Sequence, residues 1–128
     1  MHPVCRNNLL ILVVDDDYDI RESLRVLLGS VGYRVSTAEN ALQAITEIGA
    51  QSPDLILTDI YMADGDGFEL LNALRDFPEN IPVIAMSGGD FGVSDYLGFA
   101  RRLGAAATIV KPFRSAQVIE AVDRTLAA

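Results

Sequence analysis

The sequence predicts a doubly wound α/β domain, a five-stranded parallel sheet in the order 2-1-3-4-5 with helices on both faces. Three observations lead there. Short apolar, β-branched runs recur five times, and each is followed by a segment with helical spacing of its apolar residues. Strict alternation of strand and helix is the pattern of parallel pairing, because parallel neighbours need a crossover connection. The runs are apolar nearly throughout rather than alternating, as strands covered on both faces are, and five such strands most commonly take the order 2-1-3-4-5.

Each element follows in chain order. "LLILVV" (9–14) is the first strand, and Ile20, Leu24, Leu27, Leu28 and Val31 recur at helical spacing behind it, with Gly29 and Gly32 marking the stop. "YRVSTA" (33–38) is the second strand. Ala41, Leu42, Ile45 and Ile48 give a helix ended near Gly49 and cut off by Pro53. "DLILTD" (54–59) is the third strand, and the turn "ADGDG" (63–67) leads into a helix carrying Phe68, Leu71 and Leu74. "PVIAMS" (82–87) is the fourth strand, followed by a Gly-rich stretch and a helix around 95–103. "AATIVK" (106–111) is the fifth strand, and Ser115 is placed to cap a last helix with Val118, Ile119, Val122 and Leu126 on one face. No linker, repeat or low-complexity segment divides residues 1–128, which read as a single domain with 1–8 as a flexible tail.

Composition excludes several function classes. The formal net charge of −8 argues against a nucleic-acid surface, which calls for a basic patch, and suits a site that collects cations. No apolar run approaches the ~18 residues of a membrane span. The N-terminus "MHPVCRNN" lacks the apolar core of an export signal, and a single cysteine, Cys5, cannot form an internal disulfide; both point to the cytoplasm.

The polar residues fall at the strand ends. Strand one ends in Asp15 and Asp16, strand three in Asp59, strand four in Ser87 and strand five in Lys111. In an open α/β sheet, ligands bind beyond the carboxyl ends of the strands, and strands 1, 3, 4 and 5 are neighbours across about 14 Å. Each residue has an ordinary explanation: the aspartates favour a helix N-terminus, "DGDG" is turn chemistry, and Ser87 and Lys111 border loops. Jointly, four strand ends deliver three carboxylates, a hydroxyl and an ammonium to one crevice. Carboxylates so gathered need a cation, and a hard ion with oxygen ligands, Mg²⁺ above all, suits them. The run Asp15, Asp17, Asp19 copies the start of a calcium loop, but Ile20 and Val26 replace its glycine and glutamate.

The motifs "ILVVDDD", "LILTDIYMADGDG", "IAMSG" and "IVKPF", in this order and spacing, make the sequence resemble the receiver domains of two-component response regulators over essentially its full length. The resemblance implies a flavodoxin-like (βα)5 fold and the manner of a stand-alone, chemotaxis-regulator-like receiver. Carried over by position, Asp59 is the phosphoacceptor. Asp16 binds Mg²⁺ directly and Asp15 through water, and the main-chain carbonyl of Tyr61 joins Asp59 in the metal set. Ser87 and Lys111 contact the phosphoryl group, and Pro112 follows a cis peptide. Implied partners are a histidine kinase or histidine phosphotransfer protein and a downstream protein partner, with no nucleic acid or membrane. The resemblance further implies a phosphoacceptor domain that catalyses its own phosphorylation and dephosphorylation, not an enzyme with a separate substrate. Against the family pattern, Ala63 replaces a turn proline, the stretch 87–98 is Gly-rich and slightly long, and Thr108 stands where many receivers carry an aromatic switch residue. Ser87 and Thr108 are the switch positions. Two rivals fail on residues. An aspartate-nucleophile phosphohydrolase would need a threonine or valine at Asp19 and an acidic pair after Lys111. A flavodoxin-like cofactor binder would need a phosphate-cradling loop where three aspartates stand.

Overall fold

The computed structural model describes residues 6–60, 67–76, 80–87, 101 and 104–127. Five strands, β1 (Leu10–Val14), β2 (Arg34–Ala38), β3 (Leu55–Asp59), β4 (Val83–Ser87) and β5 (Ala107–Val110), form one sheet in the order β2-β1-β3-β4-β5. All pairings are parallel. The fold class read from the sequence is the one observed. Each strand begins one residue later than its apolar run. The β1 amide of Leu10 is bonded by the Asp54 carboxylate at 2.8 Å rather than by a neighbouring strand. Pro82, which has no amide hydrogen to give a ladder, only accepts from Ile56.

Three helices, α1 (Tyr18–Ser30), α2 (Ala41–Ala50) and α3 (Gly67–Leu74), and the C-terminal helix Ser115–Ala127 cover the sheet. The alternation of side chains along each strand divides the core between its faces. Leu12, Val14, Ile56 and Ala85 pack with Ala44 and Ile48 of α2 and Leu70 and Leu71 of α3. Ile11, Val13, Leu55, Leu57, Ile84, Met86 and Ile109 pack with Leu24 and Leu28 of α1 and Val118 and Val122 of the C-terminal helix. Strands β1, β3 and β4 are buried at every position, while β2 and β5 have exposed residues, as sheet edges do.

Helix boundaries follow local chemistry. Asp17 caps α1, its carboxylate accepting the amides of Asp19 and Ile20. Gly29 proves to lie inside α1, and the stop is made by Gly32, whose φ is +106°. The amides of Gly32 and Tyr33 return to the carbonyls of Gly29 and Leu28, the paired bonds of a Schellman ending. Ser115 is the first residue of its helix rather than its cap. The cap position falls on Arg114, whose carbonyl accepts the amides of Gln117 and Val118.

The tail expected over 1–8 does not extend through its last residues. Arg6–Asn8 form a 3-10 turn. The Arg6 guanidinium is ion-paired with Asp123 of the C-terminal helix at 2.6 Å and lies 5.8 Å from the centroid of the Tyr33 ring. Cys5, Tyr61, Ala63, the Gly-rich stretch and most of the helix expected around 95–103 lie outside the described residues.

Candidate functional site

Register sets the site. Val14 of β1 pairs with Thr58 of β3, so the next residues, Asp15 and Asp59, emerge side by side at the carboxyl edge. Asp59 pairs with Met86 of β4, and Ser87 pairs with Val110 of β5, the residue before Lys111. The Lys111 amide donates to the Ser87 carbonyl at 2.7 Å, and the Lys111–Pro112 peptide is cis. Four strands thus deliver Asp15, Asp59, Ser87 and Lys111 to one edge of the sheet.

Asp15 is fully buried and held at every polar atom. Its amide donates to the Ala38 carbonyl at 3.1 Å, its Oδ1 accepts the Asp17 amide at 2.9 Å, its Oδ2 accepts Lys111 Nζ at 2.8 Å, and its carbonyl accepts Arg21 Nη1 at 2.8 Å. Asp59 is 6 % exposed, and its Oδ2 lies 3.5 Å from the same lysine nitrogen. Asp16 is exposed, and carboxylate oxygens of Asp15, Asp16 and Asp59 lie within 4.8 Å of one another, a group that could hold a metal ion.

Lys111 is the cation among them. Burial pulls its pKa down, but its hydrogen bond to Asp15 and the charges of Asp15 and Asp59 outweigh that and leave it above the ordinary lysine value. The ammonium therefore stays protonated through neutral pH. Three hard carboxylate donors around one lysine make a setting suited to a divalent cation.

Of the residues singled out from sequence, the structure brings together Asp15, Asp16, Asp59 and Lys111, with Ser87, only 3 % exposed, at the adjoining strand end. Tyr61 lies outside the described residues. Thr108 stands apart from the acidic cluster, in the first half of β5 opposite Ala85, and its hydroxyl accepts Arg101 Nη2 at 3.0 Å. Asp17 serves the start of α1 as its cap. Two residues escaped the sequence reading. Arg101 carries no local signature. Arg21 offered a faint one: it is a cation in the first turn of a helix, where the helix dipole disfavours positive charge.

Comparison with known proteins agrees with this geometry. Residues 11–123 match the family model described as the response regulator receiver domain. The chain is 36% identical over 119 residues to Sporulation initiation phosphotransferase F of Bacillus subtilis (strain 168), covering 93% of this chain and 94% of that protein. The solved receiver domain of NtrX from Brucella abortus superimposes with a TM-score of 0.86 at 33% identity, covering 92% of this chain and 98% of that one. A response regulator receiver domain protein from Methanospirillum hungatei JF-1 gives a TM-score of 0.85 at 29% identity, over 93% of this chain and 94% of that one. Five parallel strands in the shared order, an acidic cluster at their carboxyl edge and a family match across nearly the whole length lead to one conclusion: the chain belongs to the response-regulator receiver domains, the phosphoaccepting modules of two-component signalling.

Proposed function

We propose that this receiver takes a phosphoryl group from a phosphohistidine onto Asp59 in a Mg²⁺-dependent reaction. The observation that carries the reading is the Lys111 ammonium, 2.8 Å from Asp15 and 3.5 Å from Asp59, a fixed positive charge beside the acceptor carboxylate. An ionised carboxylate is already a nucleophile and needs no general base. One Asp59 oxygen forms the new O–P bond while the N–P bond to histidine breaks, and that electron pair leaves with the imidazole. Lys111 and the Ser87 hydroxyl stabilise charge on the equatorial oxygens, which is most of what such a transfer requires.

The donor set suits the ion. Asp15, Asp16 and Asp59 offer only hard carboxylate oxygens, within 4.8 Å of one another, and Mg²⁺ takes oxygen ligands while keeping several waters. Asp16 would bind it directly and Asp15 through water, with Asp59 and the Tyr61 carbonyl completing the set. When bound, the ion supplies the positive charge that lets an acidic cluster accept a dianionic group. With water in place of histidine, the same side chains serve loss of the phosphoryl group, so the domain catalyses both its own phosphorylation and its dephosphorylation.

The donor in this reading is a histidine kinase or histidine phosphotransfer protein in the cytoplasm, and the output is a partner protein or the next phosphate carrier. The net charge of −8 favours protein partners over nucleic acid. Intact-mass analysis after incubation with a small acyl phosphate and Mg²⁺ tests the chemistry. One added phosphoryl group is expected, absent in Asp59→Asn and absent with a chelator. Labelling that persists in either case refutes the assignment.

A further inference from the structure

Resting on that reading of the acidic cluster, we propose that Arg21 is a positioning residue, which fixes the peptide joining Asp15 to Asp16 and thereby sets the affinity of the cluster for a divalent cation. The other side-chain contacts to Asp15 hold its carboxylate: the Asp17 amide on Oδ1 and Lys111 Nζ on Oδ2. Arg21 Nη1 instead reaches the Asp15 main-chain carbonyl at 2.8 Å. That oxygen belongs to the peptide unit linking the two aspartates. A peptide is planar and stiff, so pinning its oxygen fixes the direction in which the chain enters Asp16. Asp16 is the exposed member of the cluster, and the backbone entering it bears directly on where its carboxylate can stand.

The placement of Arg21 runs against simple electrostatics. It sits in the first turn of α1, at the positive end of the helix dipole, and near a site that should attract cations. A cation there weakens divalent-ion binding through charge alone. Its stem points back along α1 toward the preceding loop, as helical side chains do. The guanidinium is also braced, lying 5.5 Å from the centroid of the Tyr18 ring. Charge and positioning therefore predict opposite signs. Removing Arg21 tightens ion binding if only its charge matters, and weakens it if the hydrogen bond to Asp15 matters more.

The experiment is a Mg²⁺ titration of the whole chain followed by backbone amide shifts, on wild type, Arg21→Met, Arg21→Lys and Arg25→Met. Methionine keeps an apolar stem while removing donor and charge. Arg25 lies one turn further along α1, where it pairs with Glu22, so Arg25→Met reports loss of a helix cation that does not touch Asp15. Removing an outer partner of a ligand typically costs 10–100-fold in metal affinity, and because Arg21 is half-buried we expect roughly tenfold weaker binding in Arg21→Met. Arg21→Lys keeps charge and a single donor, and its affinity should fall between that variant and wild type. Arg25→Met should bind as wild type or slightly more tightly. Urea unfolding of each variant separates lost affinity from lost fold, and if Arg21→Met does not fold, the comparison of Arg21→Lys with wild type decides. Equal or tighter binding in Arg21→Met overturns the proposal, as does Arg21→Lys binding like wild type where Arg21→Met is unfolded. A wild type that neither binds Mg²⁺ nor accepts a phosphoryl group overturns the reading of the cluster itself, a distinct result.

Discussion

Replacing Lys111 with methionine should cost stability in the absence of metal and return part of it when Mg²⁺ is added. Lys111 Nζ donates to the fully buried Asp15 carboxylate at 2.8 Å and stands 3.5 Å from Asp59. Breaking a buried pair by removing one partner costs about 3–5 kcal/mol, because a charge is left desolvated and unpaired. Two features reduce that here. The lysine side chain keeps 16 % of its surface exposed, so water can reach the space it leaves, and the Asp17 amide still holds Asp15 Oδ1. A loss of about 2–3 kcal/mol follows, or roughly 1–2 M in the urea midpoint at the slopes usual for small domains. The same change removes the ammonium that competes for Asp15, so Mg²⁺ should bind the variant more tightly than wild type and stabilise it more. On the proposed reading, phosphorylation should nonetheless fall, since the cation assigned to the phosphoryl oxygens is gone. Urea unfolding with chelator and with Mg²⁺, paired with phosphorylation rates, checks all three. A variant as stable as wild type without metal, or a stability gap unmoved by Mg²⁺, would show that Lys111 is not the counter-ion of the cluster.

Gly32→Ala should lose about 1–2 kcal/mol, the cost of holding an L side chain at positive φ. Among the described residues its new Cβ would meet only Arg6 Cβ, at an ordinary 3.5 Å, so the loss is conformational and phosphorylation should be unaffected; an unchanged urea midpoint contradicts this. The cluster of Arg6, Tyr33 and Asp123 should make stability fall at both pH extremes. Burial pushes the Asp123 carboxyl up, but hydrogen bonds from Arg6 and Tyr33 outweigh it and hold Asp123 below its usual value. Its contribution is therefore complete above the unfolded carboxyl range, near pH 4, and is lost as pH falls through the lower folded value. Burial first, then the bond to Asp123, push the Tyr33 hydroxyl up to about 12, so its contribution is complete below about pH 10 and lost as pH rises through about 12. Thermal unfolding across pH should show both losses reduced in Asp123→Asn, and identical profiles refute the assignment.

The sheet was legible because its central strands are buried on both faces and their sequences say so: "LILVV", "LILTD" and "VIAMS" leave little choice of environment. Strand order followed from alternation and a common topology, and the site from polar residues that end those runs. Hidden from the sequence were the contacts that depend on a distant partner. Arg6 looks like part of a tail until Asp123, 117 residues away, is beside it. Ser115 looks like a cap because serine is a good one, yet the Arg114 carbonyl takes that place, a shift of one residue that side-chain preference cannot resolve. Arg21 escaped because its partner is a main-chain carbonyl, which every residue owns.

The site carries the same lesson into chemistry. The sequence places three carboxylates and one ammonium at one edge of the sheet but does not say how they pair. The structure gives the lysine first to Asp15, at 2.8 Å, and only second to Asp59, at 3.5 Å. That asymmetry has a consequence for the order of events. On the proposed reading, an incoming dianionic phosphoryl group meets three carboxylates whose lysine is held first by Asp15. Once Asp15 has another cation to satisfy it, the ammonium need move little to serve the Asp59 side, and the charge that opposed the incoming group is gone. On that reading the metal-free site disfavours phosphate, and Lys111, within reach of both Asp15 and Asp59, is placed to serve both states.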